Sequence, residues 1–137
     1  MKEYLEKLFN SLFDSYNIQP GSIDLVLEIE DLELDVDTVI PIGLIVNELV
    51  SNALKYAFPG DRKGMVTVCL KEENARLLLR VSDNGIGMQN FGEYKDGENI
   101  GYELIDSFRI KMKGEMKINT ENGTDISILF TDYLKVA

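Results

Sequence analysis

The chain is expected to adopt an α+β fold, a two-layer sandwich with helices packed on one face of a mixed, mostly antiparallel sheet. Three observations predict it. Hydrophobic spacing changes along the chain in the order helix, strand, helix, two strands, loop, helix, two strands. The later strands come in consecutive pairs separated by short turns, the pattern of hairpins. Finally, 137 residues with 45% hydrophobic content, no long apolar run, no internal repeat and no low-complexity linker make residues 1–137 one domain with a core of its own.

Residues 2–16 place Tyr4, Leu5, Leu8, Leu12 and Phe13 at helical spacing, and the stretch from Asn17 to Gly21 stops the helix. From Ile23 to Glu30, apolar Ile23, Leu25, Leu27 and Ile29 alternate with polar neighbours, which marks a strand with one buried face. Leu32, Leu34 and Val36 continue that alternation as an extended segment. The acidic run from Glu28 to Asp37 interleaves with them and reads as a solvated face. Thr38 is the expected N-cap of the main helix, Pro41 falls in its first turn, and Pro59-Gly60 ends it. Ile42, Ile45, Leu49, Ala53 and Ala57 form its buried stripe.

Two strands, Met65–Lys71 and Ala75–Val81, follow as a hairpin through residues 72–74, with Val66, Val68, Leu70, Leu77, Leu79 and Val81 turned to the core. Residues 88–100 lack an apolar period, contain Gly92 and Gly97, and read as a mobile loop. A helix from Ile100 to Met112 aligns Ile100, Leu104, Ile105 and Phe108. Lys113-Gly114 breaks it, and strands Glu115–Asn119 and Thr124–Phe130 flank the turn at Glu121-Asn122-Gly123.

A net charge of −10 argues against a nucleic-acid surface and against contact with anionic lipid, both of which need clustered Lys and Arg. No membrane span or signal peptide is legible, so the domain is expected in the cytoplasm, whether its parent is soluble or membrane-anchored. The lone Cys69 offers neither a disulfide nor a thiolate metal site and is expected to fill a core strand position, with a reactive thiol as the alternative. The chain has no histidine, which excludes a Ser/His/Asp triad, the usual zinc sites and any phospho-accepting histidine within it.

Chemistry concentrates in two stretches. On the main helix, Glu48, Asn52, Lys55 and Tyr56 fall at i, i+4, i+7 and i+8, a line of roughly 12 Å. A carboxylate can orient or deprotonate a water, an amide oxygen is a hard ligand suited to Mg²⁺, and an ammonium neutralises a phosphate oxygen. Asn47 and Asn52 are poor helix-interior residues and call for a reason, although a solvated polar face would look the same. The second stretch, D-N-G-I-G-M at 83–88, follows a strand. Its glycines let the backbone approach a planar ligand, and the Asp83 carboxylate can accept from an exocyclic amine such as that of adenine. Alone, D-N-G also describes a tight turn.

N-E-L-V-S-N-A-L-K-Y-A-F at 47–58 resembles the N box, and D-N-G-I-G-M resembles the G1 box, of sensor histidine kinase ATPase domains in the GHKL superfamily. The likeness extends to the class whose N box opens N-E-L and ends near A-F-P, and it covers nearly the whole chain, including P-I-G-L-I-V-N-E-L at 41–49. N-I-G-Y-E-L-I at 99–105 is similar to the G2 box, with Asn99 in place of the usual small hydroxyl residue and Tyr102 in place of the usual leucine. Gly123-Thr124 is similar to the closing G-T element.

The resemblance implies the GHKL ATPase fold, ATP and Mg²⁺ as cofactors, and a catalytic domain cut from a longer kinase, without its phosphoacceptor helical hairpin. It implies that Asp83 meets the adenine amine, with Gly85, Ile86, Gly87 and Met88 shaping the pocket. Asn47 joins the site, Asn52 ligates Mg²⁺, with Glu48 assisting the metal or its water or polarising the incoming histidine, and Lys55 and Tyr56 reach phosphates or ribose. Gly101 and Tyr102 sit by the phosphates at a helix N-terminus, Thr124 is structural or reaches the adenine through a water, and residues 88–100 form the ATP lid. The implied partners are a histidine-containing dimerisation domain and a downstream response regulator. The alternatives are a GHKL serine kinase that also binds a transcription factor in the manner of an anti-sigma protein, and a degenerate, non-catalytic interaction domain.

Overall fold

Among the described residues, strand alternation and helical stripes assemble into a five-stranded sheet carrying three helices on one face. The computed structural model describes residues 2–15, 23–54, 63–85, 100–121 and 123–135. Their elements run α1 (Lys2–Ser15), β1 (Ile23–Ile29), α2 (Val36–Asn52), β2 (Gly64–Glu73), β3 (Arg76–Asp83), α3 (Ile100–Lys111), β4 (Gly114–Asn119) and β5 (Asp125–Phe130). This is the order that the periodicities predict. The sheet order is β1-β2-β3-β5-β4, with β1 parallel to β2 and every other pair antiparallel.

The period of two decides which face is buried. Val66, Val68, Leu70, Leu77, Leu79 and Val81 are all buried, as expected, and Ile126, Ile128 and Phe130 of β5 extend the same face. Against it pack Ile42, Ile45, Val46, Leu49 and Val50 of α2, Leu5, Phe9 and Leu12 of α1, and Ile105 of α3. Each such side chain, fully buried, contributes about 1.5–3 kcal/mol by leaving water. Phe9, among the largest of the fully buried side chains, completes the α1 stripe, whereas Tyr4 stays 43% exposed.

Four local expectations are corrected. The N-cap of α2 is Asp35, whose carboxylate accepts from the Asp37 N–H at 2.9 Å; Thr38 lies inside the first turn, where its hydroxyl accepts the Leu134 N–H at 2.8 Å. Val36 therefore opens the helix instead of extending a strand, and Pro41 sits in the second turn, removing the backbone donor that would otherwise meet the Asp37 carbonyl. Cys69 is not in the core: between buried Val68 and Leu70 it must face the other side of the sheet, where it is partly exposed. Burial still pushes its thiol pKa up, with Lys71 acting in the opposite direction. The acidic run from residue 28 to 37 is largely exposed, as read from its alternation.

The β2–β3 turn places Asn74 and Ala75 at φ of 50° and 63°, the left-handed pair of a tight hairpin. Lys113, at φ 50°, turns the chain from α3 into β4. The ends of the predicted helices near 17–21 and at 59–60, and the loop from 88 to 99, lie outside the described residues.

Candidate functional site

At the end of β3 the Asp83 N–H donates to the Thr124 carbonyl at 2.8 Å, extending the β3–β5 ladder by one pair. By alternation, Asp83 continues the row of Leu79 and Val81, and Thr124 continues that of Ile126 and Ile128, so both side chains stand on the helix side of the sheet. Asp83 Oδ1 accepts two backbone amides, Gly85 N–H at 2.9 Å and Thr124 N–H at 3.3 Å. This Asx-type turn fixes the carboxylate and draws Gly85 into a buried position.

Asn84 secures the opposite side of the turn. Its side-chain oxygen accepts the Met65 N–H at 2.7 Å, and its own N–H donates to the Met65 carbonyl at 3.2 Å. The loop is thus held to β2 as well as to β5. The sequence carried this role in D-N-G, since Asn bonds readily to nearby backbone, but the partner 19 residues earlier was not legible.

The Thr124 hydroxyl is the exceptional atom. Thr124 is only 4% exposed, and its Oγ1 has no hydrogen-bond partner among the described residues. Buried hydroxyls are nearly always satisfied, so an orphan next to a fixed carboxylate fits a polar ligand or a water delivered with one.

On the helix layer, α2 packs against β3, and α3 packs against α2. Asn47, Glu48 and Asn52 are half-buried near the C-terminal end of α2, with Glu48 and Asn52 one turn apart. Gly101 and Tyr102 lie in the first turn of α3. The structure therefore joins Asp83, Gly85 and Thr124 by direct bonds and sets the α2 and α3 groups on neighbouring elements. Lys55, Tyr56, Ile86, Gly87 and Met88 lie outside the described residues.

Among the described residues no cluster of three His, Cys, Asp or Glu could hold a metal. An amide and a carboxylate one turn apart suit Mg²⁺, which keeps several waters and takes phosphate oxygens instead of an all-protein cage. A depression of about 460 Å³ opens elsewhere, on the uncovered sheet face around Arg80, Lys117 and Asp125. There Arg80 is held by Asp125, which raises its pKa. A cleft on that face is what a two-layer fold leaves open, and it does not include Asp83 or Thr124.

This two-layer fold is that of an ATPase-type domain. Residues 37–133 match the family of histidine kinase-, DNA gyrase B- and HSP90-like ATPases, and the chain belongs to that family. Among curated proteins it is similar to the serine-protein kinase RsbW of Listeria innocua, at 29% identity over 66% of this chain and 63% of that protein. It is also similar to an anti-sigma F factor of Bacillus thuringiensis, at 24% identity over 98% of this chain and 94% of that one. Among solved structures it superposes on the histidine kinase domain of an Erythrobacter litoralis blue-light activated kinase, with a TM-score of 0.82 and 22% identity over 95% of this chain and 60% of that one. The mycobacterial sensor histidine kinase MprB gives a TM-score of 0.73 at 16% identity, covering 99% of this chain and 97% of that one. The chain thus spans less than two thirds of the Listeria and Erythrobacter proteins.

Proposed function

We propose that residues 1–137 form the Mg²⁺-ATP-binding catalytic domain of a sensor histidine kinase and work with a separate, histidine-bearing domain. The observation that carries the reading is the buried Thr124 hydroxyl, without a partner among the described residues, beside the fixed Asp83 carboxylate on the helix side of the sheet. That pair suits an adenine edge, the carboxylate accepting from the exocyclic amine and the hydroxyl bonding a ring nitrogen directly or through a water. Gly85, with Ile86, Gly87 and Met88, would shape the base pocket.

Along α2, Asn52 would ligate Mg²⁺, and Asn47 and Glu48 would flank the triphosphate. Mg²⁺ supplies charge neutralisation on the β- and γ-phosphates. Lys55, Tyr56, Gly101 and Tyr102 would complete the phosphate and ribose contacts. An imidazole nitrogen then attacks the γ-phosphorus, the bond to the β–γ bridging oxygen breaks, and ADP leaves, with Glu48 polarising the incoming imidazole. The chain contains no histidine, so alone it should bind ATP and turn over little. The acceptor domain and a response regulator are the proposed partners, and the cytoplasm the proposed compartment; no described helix is long and apolar enough to cross a membrane.

The test is calorimetric titration of ATP with and without Mg²⁺, using the parent, Asp83→Asn and Asn52→Ala. Asp83→Asn keeps an acceptor oxygen for Gly85 and Thr124 but adds a donor, so the fold should persist while ATP affinity falls at least about tenfold, equivalent to about 1.4 kcal/mol. Asn52→Ala should lose the Mg²⁺ dependence. Parent-like binding in Asp83→Asn removes the adenine assignment.

A second reading, a serine kinase with anti-sigma activity, is favoured by the similarity to RsbW and the anti-sigma F factor. Acid-labile phosphate on a partner separates histidine transfer from acid-stable serine transfer. A parent that binds no adenine nucleotide would instead be a non-catalytic interaction domain.

A further inference from the structure

The outer face of α2 carries a row of residues spaced by four, Val36, Ile40, Leu44, Glu48 and Asn52. Its first three members are large, apolar and exposed, at 60%, 52% and 38%. Two further exposed side chains lie beside them. The Tyr4 ring covers Gly43, where a Cβ would stand 2.5 Å from the ring carbon Cε1. Leu134, 52% exposed, is bound to the first turn through Asp35 and Thr38. Of seven exposed large apolar side chains among the described residues, these five gather on one strip. Such a concentration marks an interaction surface, whereas scattered exposed residues would not.

We propose that this strip docks a basic amphipathic helix of a partner polypeptide, seated on Val36, Ile40 and Leu44 and directed toward Glu48. The shape argues for a helix, because residues spaced by four form a ridge that packs into the groove of another helix. The charge argues for a basic one. Between residues 28 and 54 the sequence has seven acidic residues and no Lys or Arg. Glu33 and Asp37, both exposed, border the start of the ridge, and Glu48 follows Leu44 by one turn; none of the three has an ion-pair partner among the described residues. A second copy of this chain would bring the same acidic border against itself at a net charge of −10 per chain, and is disfavoured.

The ridge leads into the candidate catalytic row without a break, so a helix seated on it ends beside Glu48. Resting on the function proposed above, this makes the strip the place where the phosphate-accepting helix is received.

The experiment titrates the full chain with a synthetic Leu/Lys amphipathic helix and with its Leu/Glu counterpart, followed by backbone amide NMR shifts. The expected result is that the Leu/Lys helix alone binds and that its shifts centre on residues 33–48. Ile40→Asp should weaken binding about tenfold, or about 1.4 kcal/mol, whereas Ile40→Leu should hold it within about twofold. Ser127→Asp, which adds the same charge to the opposite sheet face, should also leave it within about twofold. Shifts centred elsewhere, equal binding of both peptides, or parent-like binding by Ile40→Asp would overturn the proposal. So would a self-association of the parent that Ile40→Asp abolishes, which would assign the strip to a second copy. ATP titration of the parent separates the two readings: if it binds no ATP, the kinase reading fails while the docking result stands independently.

Discussion

Gly123 has a φ of +88°, and a Cβ there would lie 2.1 Å from the Asp83 carbonyl oxygen. No side chain fits without moving the strand end that holds the candidate base-binding carboxylate. Gly123→Ala should therefore cost more than about 2 kcal/mol, combining the left-handed penalty with the clash, and should shift the Asp83 and Gly85 amide resonances. Denaturant unfolding and an NMR spectrum check both parts; unchanged Asp83 and Gly85 resonances would break the link between this turn and the site. The residue scale is also where sequence reading was weakest. Asp35, Asp37 and Thr38 all carry capping side chains, and a choice among them depends on Leu134, 96 residues beyond Thr38, which occupies the Thr38 hydroxyl. Cys69 is different, because the alternation that buries Val68 and Leu70 already placed it on the open face.

Among the elements, the segment after β5 is tied to the β2 hairpin by a compact polar group. Tyr133 Oη donates to Glu72 at 2.5 Å, Lys135 Nζ lies 2.8 Å from the same carboxylate, and the Glu72 N–H donates to Glu30 at 2.9 Å. The hydrogen bonds from Lys135 and then Tyr133 lower the Glu72 pKa. Desolvation, followed by the bond to Glu72, pushes Tyr133 up to about 12. The signs give two limbs. The Glu72 contribution is present above its ordinary value near about 4.3 and is lost as pH falls through its lowered folded value. The Tyr133 contribution is full below about pH 10 and is lost as pH rises through its folded value. Tyr133→Phe should abolish the alkaline limb and move the Glu72 titration part of the way back, since Lys135 remains. Unfolding midpoints across pH, with carboxyl NMR titration of Glu72, measure both; an unaltered alkaline limb would remove Tyr133 from the account. The elements themselves were legible because each keeps one period over several residues. The polar tie was not, since it joins side chains 61 and 63 positions apart.

For the whole molecule, a charge of −10 confronts any triphosphate with long-range repulsion. On the proposed function, Mg²⁺-free ATP should bind more tightly as salt rises through the range where the Debye length shrinks to about 10 Å, the reverse of a basic polyanion site. Calorimetry at two ionic strengths tests this, and weaker binding at higher salt would mean that local cations dominate. The order of the site motifs was readable in the sequence, but their assembly was not. Asp83 and Thr124 are 41 residues apart and meet only through the register of β3 on β5.

The Leu134 attachment gives the fold a mechanical linkage. Asp35 and Thr38 bond the same residue at 2.9 and 2.8 Å, while Leu34 and Lys135 form a bridge alongside, so tension on residues 134–135 is delivered to the first turn of α2. From Thr38 to Glu48 the helix is a rod of about 15 Å, one rung short at Pro41, so a pull at one end reaches Glu48 through a softened joint.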